Sequence, residues 1–228
     1  MNDAWLPPGT TPDPVPQPTP AASGYPVQFS VDYPDRQLNR VSSIFRFLWV
    51  IPIFIVLSAF DDNWGSFASD SAFAGLSFGG YLIIPTVLLI VFRQKYPRWW
   101  FDFNLELMRF VNRISAYALL MNDQYPSTDD HQTVHLDYRY PDAKTDINRF
   151  LPLVKWLLAI PHFIVLLFLG IVAFFAVIGA WFAILFTGRY PREIFDYLVG
   201  VNRWQNRVVA YAFLMVTDEY PPFSLSDN

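Results

Sequence analysis

Residues 156–186 read WLLAIPHFIVLLFLGIVAFFAVIGAWFAILF, 31 positions in which His162 is the only acid or base. A run this apolar must sit where water does not reach, and its length sets how it can do so. Two full bilayer crossings need roughly 40 residues. Counting from Leu151, with Lys155 snorkelling to the interface, gives 36 positions and two short spans, about 151–169 and 171–186, turning near Gly170. The same segment can instead dip into one leaflet and return. Crossing is the favoured reading, because a related stretch nearer the N-terminus has room to cross.

The whole chain agrees with a membrane setting. Of 228 residues, 53% are hydrophobic, 18% aromatic and 16% charged, with a mean hydropathy of +0.24. Soluble domains carry about 25% charged residues, so the deficit predicts a membrane protein. A net charge of −4 argues against a nucleic-acid partner. With no cysteine, thiolate metal sites and a cysteine nucleophile are excluded. Residues 1–26 hold no Lys or Arg and no apolar core, so no cleavable signal peptide is expected.

Residues 1–24 carry prolines at Pro7, Pro8, Pro12, Pro14, Pro16, Pro18 and Pro20, a pattern for an extended cytoplasmic tail. It reads as a solvated tether, or as a docking strip for a protein partner. Alternation at Val27–Tyr33 then predicts a half-buried strand. Apolar runs at about 44–60 and 72–92 follow, separated by a polar loop with Asp61, Asp62 and Asp70. Both runs approach the length of a membrane span.

The plan recurs. Ile51-Pro52 matches Ile160-Pro161 at an offset of 109 (160 − 51), and Tyr96-Pro97 matches Tyr190-Pro191 at 94 (190 − 96). The strand recurs at Val134–Tyr140, and Asp123-Gln124-Tyr125-Pro126 returns as Asp218-Glu219-Tyr220-Pro221. An internal duplication is the expectation, with a first repeat over 25–126 and a second over 131–223. All 16 Lys and Arg lie outside 47–92 and 156–188. By the positive-inside rule both hairpins then enter and leave on the cytoplasmic side, both termini are cytoplasmic, and the repeats run parallel.

Behind each hairpin the spacing predicts an amphipathic helix, about 99–121 and about 193–216. In the first, Asp102, Glu106, Arg109 and Arg113 fall within about 60° of one another at 100° per residue. The second keeps Asp196, Arg203 and Arg207, with Gly200 in place of the glutamate. Asn112 and Asn206 belong to the same shared string. One reading makes the stripe a set of structural ion pairs complementing the helix dipole. The other turns the arginines to lipid headgroups, with Asp102 and Asp196 keeping them oriented. Tyr96, Trp99, Trp100, Tyr190 and Trp204 stand where an interfacial aromatic belt is expected.

His131 and His135 lie beside Asp129 and Asp130 without a third defined ligand, so a solvated linker is preferred to a metal site. His162, an ionisable group within an apolar segment, is a candidate by position, although Ile53 replaces it in the first repeat. Neither a phosphate-cradling glycine loop nor a nucleophile with its base is visible.

The strings Leu158-Ala159-Ile160-Pro161-His162, Thr187-Gly188-Arg189-Tyr190-Pro191, Arg203-Trp204 with Arg207, and Thr217-Asp218-Glu219-Tyr220-Pro221-Pro222-Phe223 resemble a bacterial membrane-protein family known as domain of unknown function 4389. The second repeat is the closer match. The first departs from it, since Arg93-Gln94-Lys95-Tyr96-Pro97 lacks the glycine. The resemblance implies a duplicated membrane protein without an assigned activity.

The expected fold is therefore an all-α membrane protein of two parallel repeats, each a transmembrane hairpin plus a cytoplasmic or interfacial helix, with a short strand before each hairpin. The two strands are expected to pair. The expected function is a non-enzymatic organiser of lipid or partner proteins at the bacterial cytoplasmic membrane, with no cofactor, no catalytic residue and no metal. Lipids, a partner at the proline-rich tail and a second copy of the chain are the partners considered. A small oligomeric transporter or channel is the alternative.

Overall fold

The computed structural model describes residues 24–34, 38–40, 43, 45, 46, 49, 51, 52, 74–128 and 132–227. The tail to residue 23, most of the expected span 44–60, the loop with Asp61, Asp62 and Asp70, and His131 lie outside the described residues. Where described, the segment from Arg40 to Pro52 is helical.

Two short strands, β1 (Val27–Val31) and β2 (Val134–Tyr138), pair antiparallel with Phe29 opposite Leu136 at their centre. The expected pairing of the strands is present. Alternation gives each strand one inward and one outward face. Val27, Phe29, Val31, Val134, Leu136 and Tyr138 are buried, whereas Gln28, Ser30, His135 and Asp137 face water.

The rest is helical: α1 (Ala74–Arg93), α2 (Arg98–Ala118), α3 (Lys155–Leu158, entered through a 3-10 turn at Leu151–Leu153), α4 (Ile160–Thr187) and α5 (Arg192–Ala212). Helices α2 and α5 each follow a proline in extended conformation, Pro97 and Pro191. A missing N–H and a fixed φ suit that entry position. The sheet's inner face rests on both helices, with α2 against β2 and α5 against β1. Helix α5 also packs along α4, so it lies between α4 and the sheet.

Helix α4 corrects the expected turn near Gly170. It runs unbroken for 28 residues, about 42 Å at 1.5 Å per residue. A Cβ at Gly170 would meet nothing within 4 Å, so that glycine marks neither a bend nor a close approach. One glycine costs a helix about 1 kcal/mol, which the flanking leucines, isoleucines and valines do not let it spend on a turn. The helix ends instead at Gly188, whose φ of 72° is the left-handed conformation that closes helices. Among the described residues α4 is the one helix long and apolar enough to cross a membrane, with a mean hydropathy of 3.0 over its most apolar stretch.

A second correction concerns Lys155, expected to snorkel outward. Its side chain is fully buried, its ammonium 2.6 Å from an Asp218 carboxylate oxygen and 2.6 Å from the Thr217 carbonyl. These two partners offset the cost of taking the ammonium out of water, and removing Asp218 would leave a charge unpaired inside the fold.

Candidate functional site

The polar stripes of α2 and α5 meet at the centre of the molecule. The Asn112 side-chain amide donates to Asn206 Oδ1 at 2.8 Å, and the Asn206 amide donates to Asn112 Oδ1 at 2.7 Å. Each amide also donates to the carbonyl one turn earlier, Met108 and Asn202, at 2.8 Å. Both residues are buried, so this closed pair supplies partners that water cannot reach.

The arginines flanking the pair are turned to backbone. Arg109 Nε donates to the Leu136 carbonyl of β2 at 2.8 Å, and Arg203 Nε to the Phe29 carbonyl of β1 at 3.1 Å. These are the two residues at the centre of the sheet. Arg109 also contacts Glu106 and Asp137, and Arg203 reaches the Leu225 carbonyl and Asp227. Arg113 donates to the Ser127 carbonyl at 2.6 Å, and Arg207 to the Ser226 carbonyl at 3.0 Å. Burial and the neighbouring Arg203 pull the Arg207 guanidinium below its ordinary range.

Asp102 and Asp196 do not orient these arginines. They pair one turn back, with Arg98 at 3.1 Å and Arg192 at 3.4 Å, because Arg109 and Arg203 lie two turns away and point at the strands. Of the five aromatic residues expected at an interface, Trp99 is exposed and Trp100 is half-buried, donating to the Thr86 hydroxyl at 2.8 Å. Tyr96, Tyr190 and Trp204 lie in the interior. The Tyr96 hydroxyl donates to the Leu214 carbonyl at 2.9 Å and that of Tyr190 to the Leu119 carbonyl at 3.0 Å. Burial pushes both phenols well above their ordinary range.

Residues outside the two stripes and the aromatic set complete the arrangement. Tyr140 donates to the Tyr96 carbonyl at 2.6 Å, and Tyr33 to the Tyr190 carbonyl at 2.5 Å. The Arg98 guanidinium lies 4.7 Å over the Tyr140 ring, and that of Arg192 4.5 Å over Tyr33. Asp123 accepts the Asn39 backbone N–H and contacts Arg46, which lies 4.6 Å over Tyr117. Asp218 accepts the Asn148 backbone N–H and contacts Lys155, which lies 5.0 Å over Tyr211. The sequence signal for all of these is their recurrence at similar offsets. Burial pushes the Lys155 ammonium down, against the hydrogen bond that it donates to Asp218.

His162 is buried in an aromatic box. Its ring stacks on Phe223 at 4.1 Å, and Trp204 Nε1–H donates to its Nδ1 at 3.1 Å. The proton therefore sits on Nε2, for which the described residues offer no partner. His135 is exposed, 3.1 Å from Asp32. Among the described residues no group of three His, Asp or Glu is arranged to hold a metal.

What faces outward is the other candidate site. Helix α4 exposes Ile164, Ile171 and Ile178 along one line and Phe168, Phe175 and Phe182 along the next. Steps of seven residues keep each line on one face, so a continuous apolar strip runs the length of the helix. Only 11% of its most apolar stretch is buried.

Residues 152–224, from the 3-10 turn before α3 to the segment beyond α5, match the model of a family described as Domain of unknown function (DUF4389). No curated protein and no solved structure matches the chain.

Proposed function

We propose that the chain is a membrane-bound protein of two equivalent halves that organises lipid, or proteins held beside lipid, through its shape. The observation that carries the reading is the outward strip of α4, an uncharged helix of 28 residues with most of its apolar surface outside the packed interior. Exposed apolar surface of that extent on a folded body marks a site of contact with membrane or protein.

The duplicated-halves part of the proposal draws support from matched contacts. Arg109 and Arg203, Tyr33 and Tyr140, Arg98 and Arg192, and Arg46 and Lys155 make contacts of the same kind in each half. Phe29 and Leu136, paired at the centre of the sheet, and Asn112 and Asn206 lie where a two-fold axis relating the halves would pass. Each half lends its strand to the other half's helix, which locks the two into one rigid body. Arg109 and Arg203 act as staples between helix and strand, and Arg113 and Arg207 tie the helices to the segments at Ser127 and Ser226. Contact with lipid then falls to α4, and residues 1–24 serve as a tether or docking strip.

The test is a full-length chain carrying Phe168→Glu, Phe175→Glu and Phe182→Glu, assayed for partition into vesicles of phosphatidylethanolamine and phosphatidylglycerol. An acid placed deep in a bilayer costs about 2.5–3.5 kcal/mol, and less near the interface. A loss of partition of tenfold or more is expected, with the near-ultraviolet circular dichroism of the detergent-purified protein unchanged. Undiminished partition of the folded variant would remove α4 as the lipid-contacting element.

A further inference from the structure

We infer that α4 lies along the membrane surface, within one leaflet, rather than crossing the bilayer. The inference rests on the membrane reading above and adds the orientation. Its first support is what accompanies α4. Helix α5 packs along it, joined by the short connection Gly188–Pro191, so the two run antiparallel. Near one end Ala159 packs with Trp204, Val208 and Tyr211. Further along, the Tyr197 hydroxyl donates to the Leu169 carbonyl at 2.9 Å. Further still, a Cβ at Gly179 would stand 4.0 Å from Ile194 Cδ1.

Both ends of α4 are held by the same polar body. Before it, Lys155 is fixed on Asp218 and Thr217. After it, Gly188 accepts the Leu38 N–H at 3.0 Å and Tyr190 donates to Leu119.

The second support is where the charges stand. If α4 crossed with its midpoint at the bilayer centre, Gly179 would lie about 8 Å from that centre at 1.5 Å per residue, well inside a hydrocarbon core about 30 Å thick. Beside Gly179 is the turn of α5 that carries Arg192, Glu193, Ile194 and Asp196. The Arg192 and Asp196 side chains form an ion pair that is 66% and 61% exposed, so a crossing would press that open pair into acyl chains. Charges at that depth are strongly disfavoured.

Laid along the surface, the same body meets no such conflict. The strip of Ile164, Ile171 and Ile178 with Phe168, Phe175 and Phe182 faces the acyl chains. Helix α5 covers the back of α4. Beyond it the sheet turns Gln28, Ser30, His135 and Asp137 to water. An interfacial helix sinks roughly 5–10 Å into the headgroup and acyl boundary. A rigid helix about 42 Å long, embedded in one leaflet only, spreads that leaflet relative to the other. The occupant of the strip is thus a lipid monolayer.

The test uses the full chain, which lacks cysteine. Nitroxide labels are placed singly through Phe168→Cys, Phe175→Cys and Phe182→Cys, all exposed positions, in vesicles of phosphatidylethanolamine and phosphatidylglycerol. Depth is read from the ratio of collisions with oxygen and with an aqueous nickel chelate. The three labels are expected at one common depth below the headgroups. A crossing helix would instead separate neighbouring labels by about 10 Å along the membrane normal, and that graded profile would overturn the orientation while leaving the membrane reading standing. Full access of all three to the nickel chelate would overturn both. Dipolar broadening relieved by dilution with unlabelled chain would show a second copy on the strip and would overturn the lipid assignment.

Discussion

Replacing Asn206 by Leu removes one member of the closed amide pair at the centre of the molecule. Asn112 then keeps its bond to the Met108 carbonyl at 2.8 Å. Its Oδ1 loses the N–H at 2.7 Å, and its amide loses the acceptor at 2.8 Å. Each buried polar group left without a partner costs about 1–3 kcal/mol, so the single variant should lose roughly 3 kcal/mol, and Asn112→Leu a similar amount. The double variant leaves no orphan, and two leucines meeting there restore apolar contact at nearly the same volume. Its loss should fall short of the sum of the single losses by about 2 kcal/mol, the scale of coupling between residues in one network. The assay is urea unfolding in a mild detergent, followed by tryptophan fluorescence and compared by midpoint at constant slope. Losses that add to within about 0.5 kcal/mol would refute the argument that the two asparagines form one unit joining the helices.

Other predictions follow the same geometry. Gly200→Ala places a Cβ 2.9 Å from Leu225 Cβ and 3.0 Å from its carbonyl oxygen. It should loosen residues 224–227 from α5 at a cost of about 1–3 kcal/mol, seen as faster proteolysis at that end with the rest protected. Lys155→Met leaves Asp218 with the Asn148 N–H but without its cation. It should lower stability by about 3 kcal/mol, and adding Asp218→Asn should restore part of the loss in the same unfolding assay. Asp146 accepts the Asp142 N–H at 3.0 Å and the Thr145 hydroxyl at 2.9 Å, and these hydrogen bonds hold its carboxyl below the ordinary carboxylate range. Because the folded value is the depressed one, its contribution is present at neutral pH and is lost as pH falls through that value. Asp146→Asn should therefore be less stable at neutral pH, with the gap closing in acid, as a pair of unfolding curves against pH would show.

The elements that sequence reveals best are those whose period matches their packing. Alternation from Val27 and from Val134 located both strands, because each keeps one face in the core and one in water. The stripes of α2 and α5 are equally visible, since a helix with one face packed on the body must separate its polar and apolar residues. The destination of those stripes was not visible. Arginine one turn from asparagine fits a headgroup as well as a strand carbonyl, and only the strand from the other half decides between them. A turn near Gly170 follows from length alone. Periodicity does not mark where an all-apolar helix stops, and the residue that does stop α4, Gly188, shows itself through its φ of 72°. Lys155 reads, from its neighbours in sequence, as a flanking charge, whereas its partners, Thr217 and Asp218, arrive from more than 60 positions away.

If α4 presents its outer face to lipid, the strip at the middle of the helix is shielded from water. The most direct measurement is Ile171→Cys, on the outward strip at the middle of α4, in the cysteine-free chain, reacted with a membrane-impermeant thiol reagent in sealed vesicles and again after detergent is added. The Ile171 side chain is exposed, so the substitution leaves the packing intact. Protection in vesicles with full labelling in detergent is the predicted result. Full labelling in vesicles would place the middle of α4 in water and contradict the account.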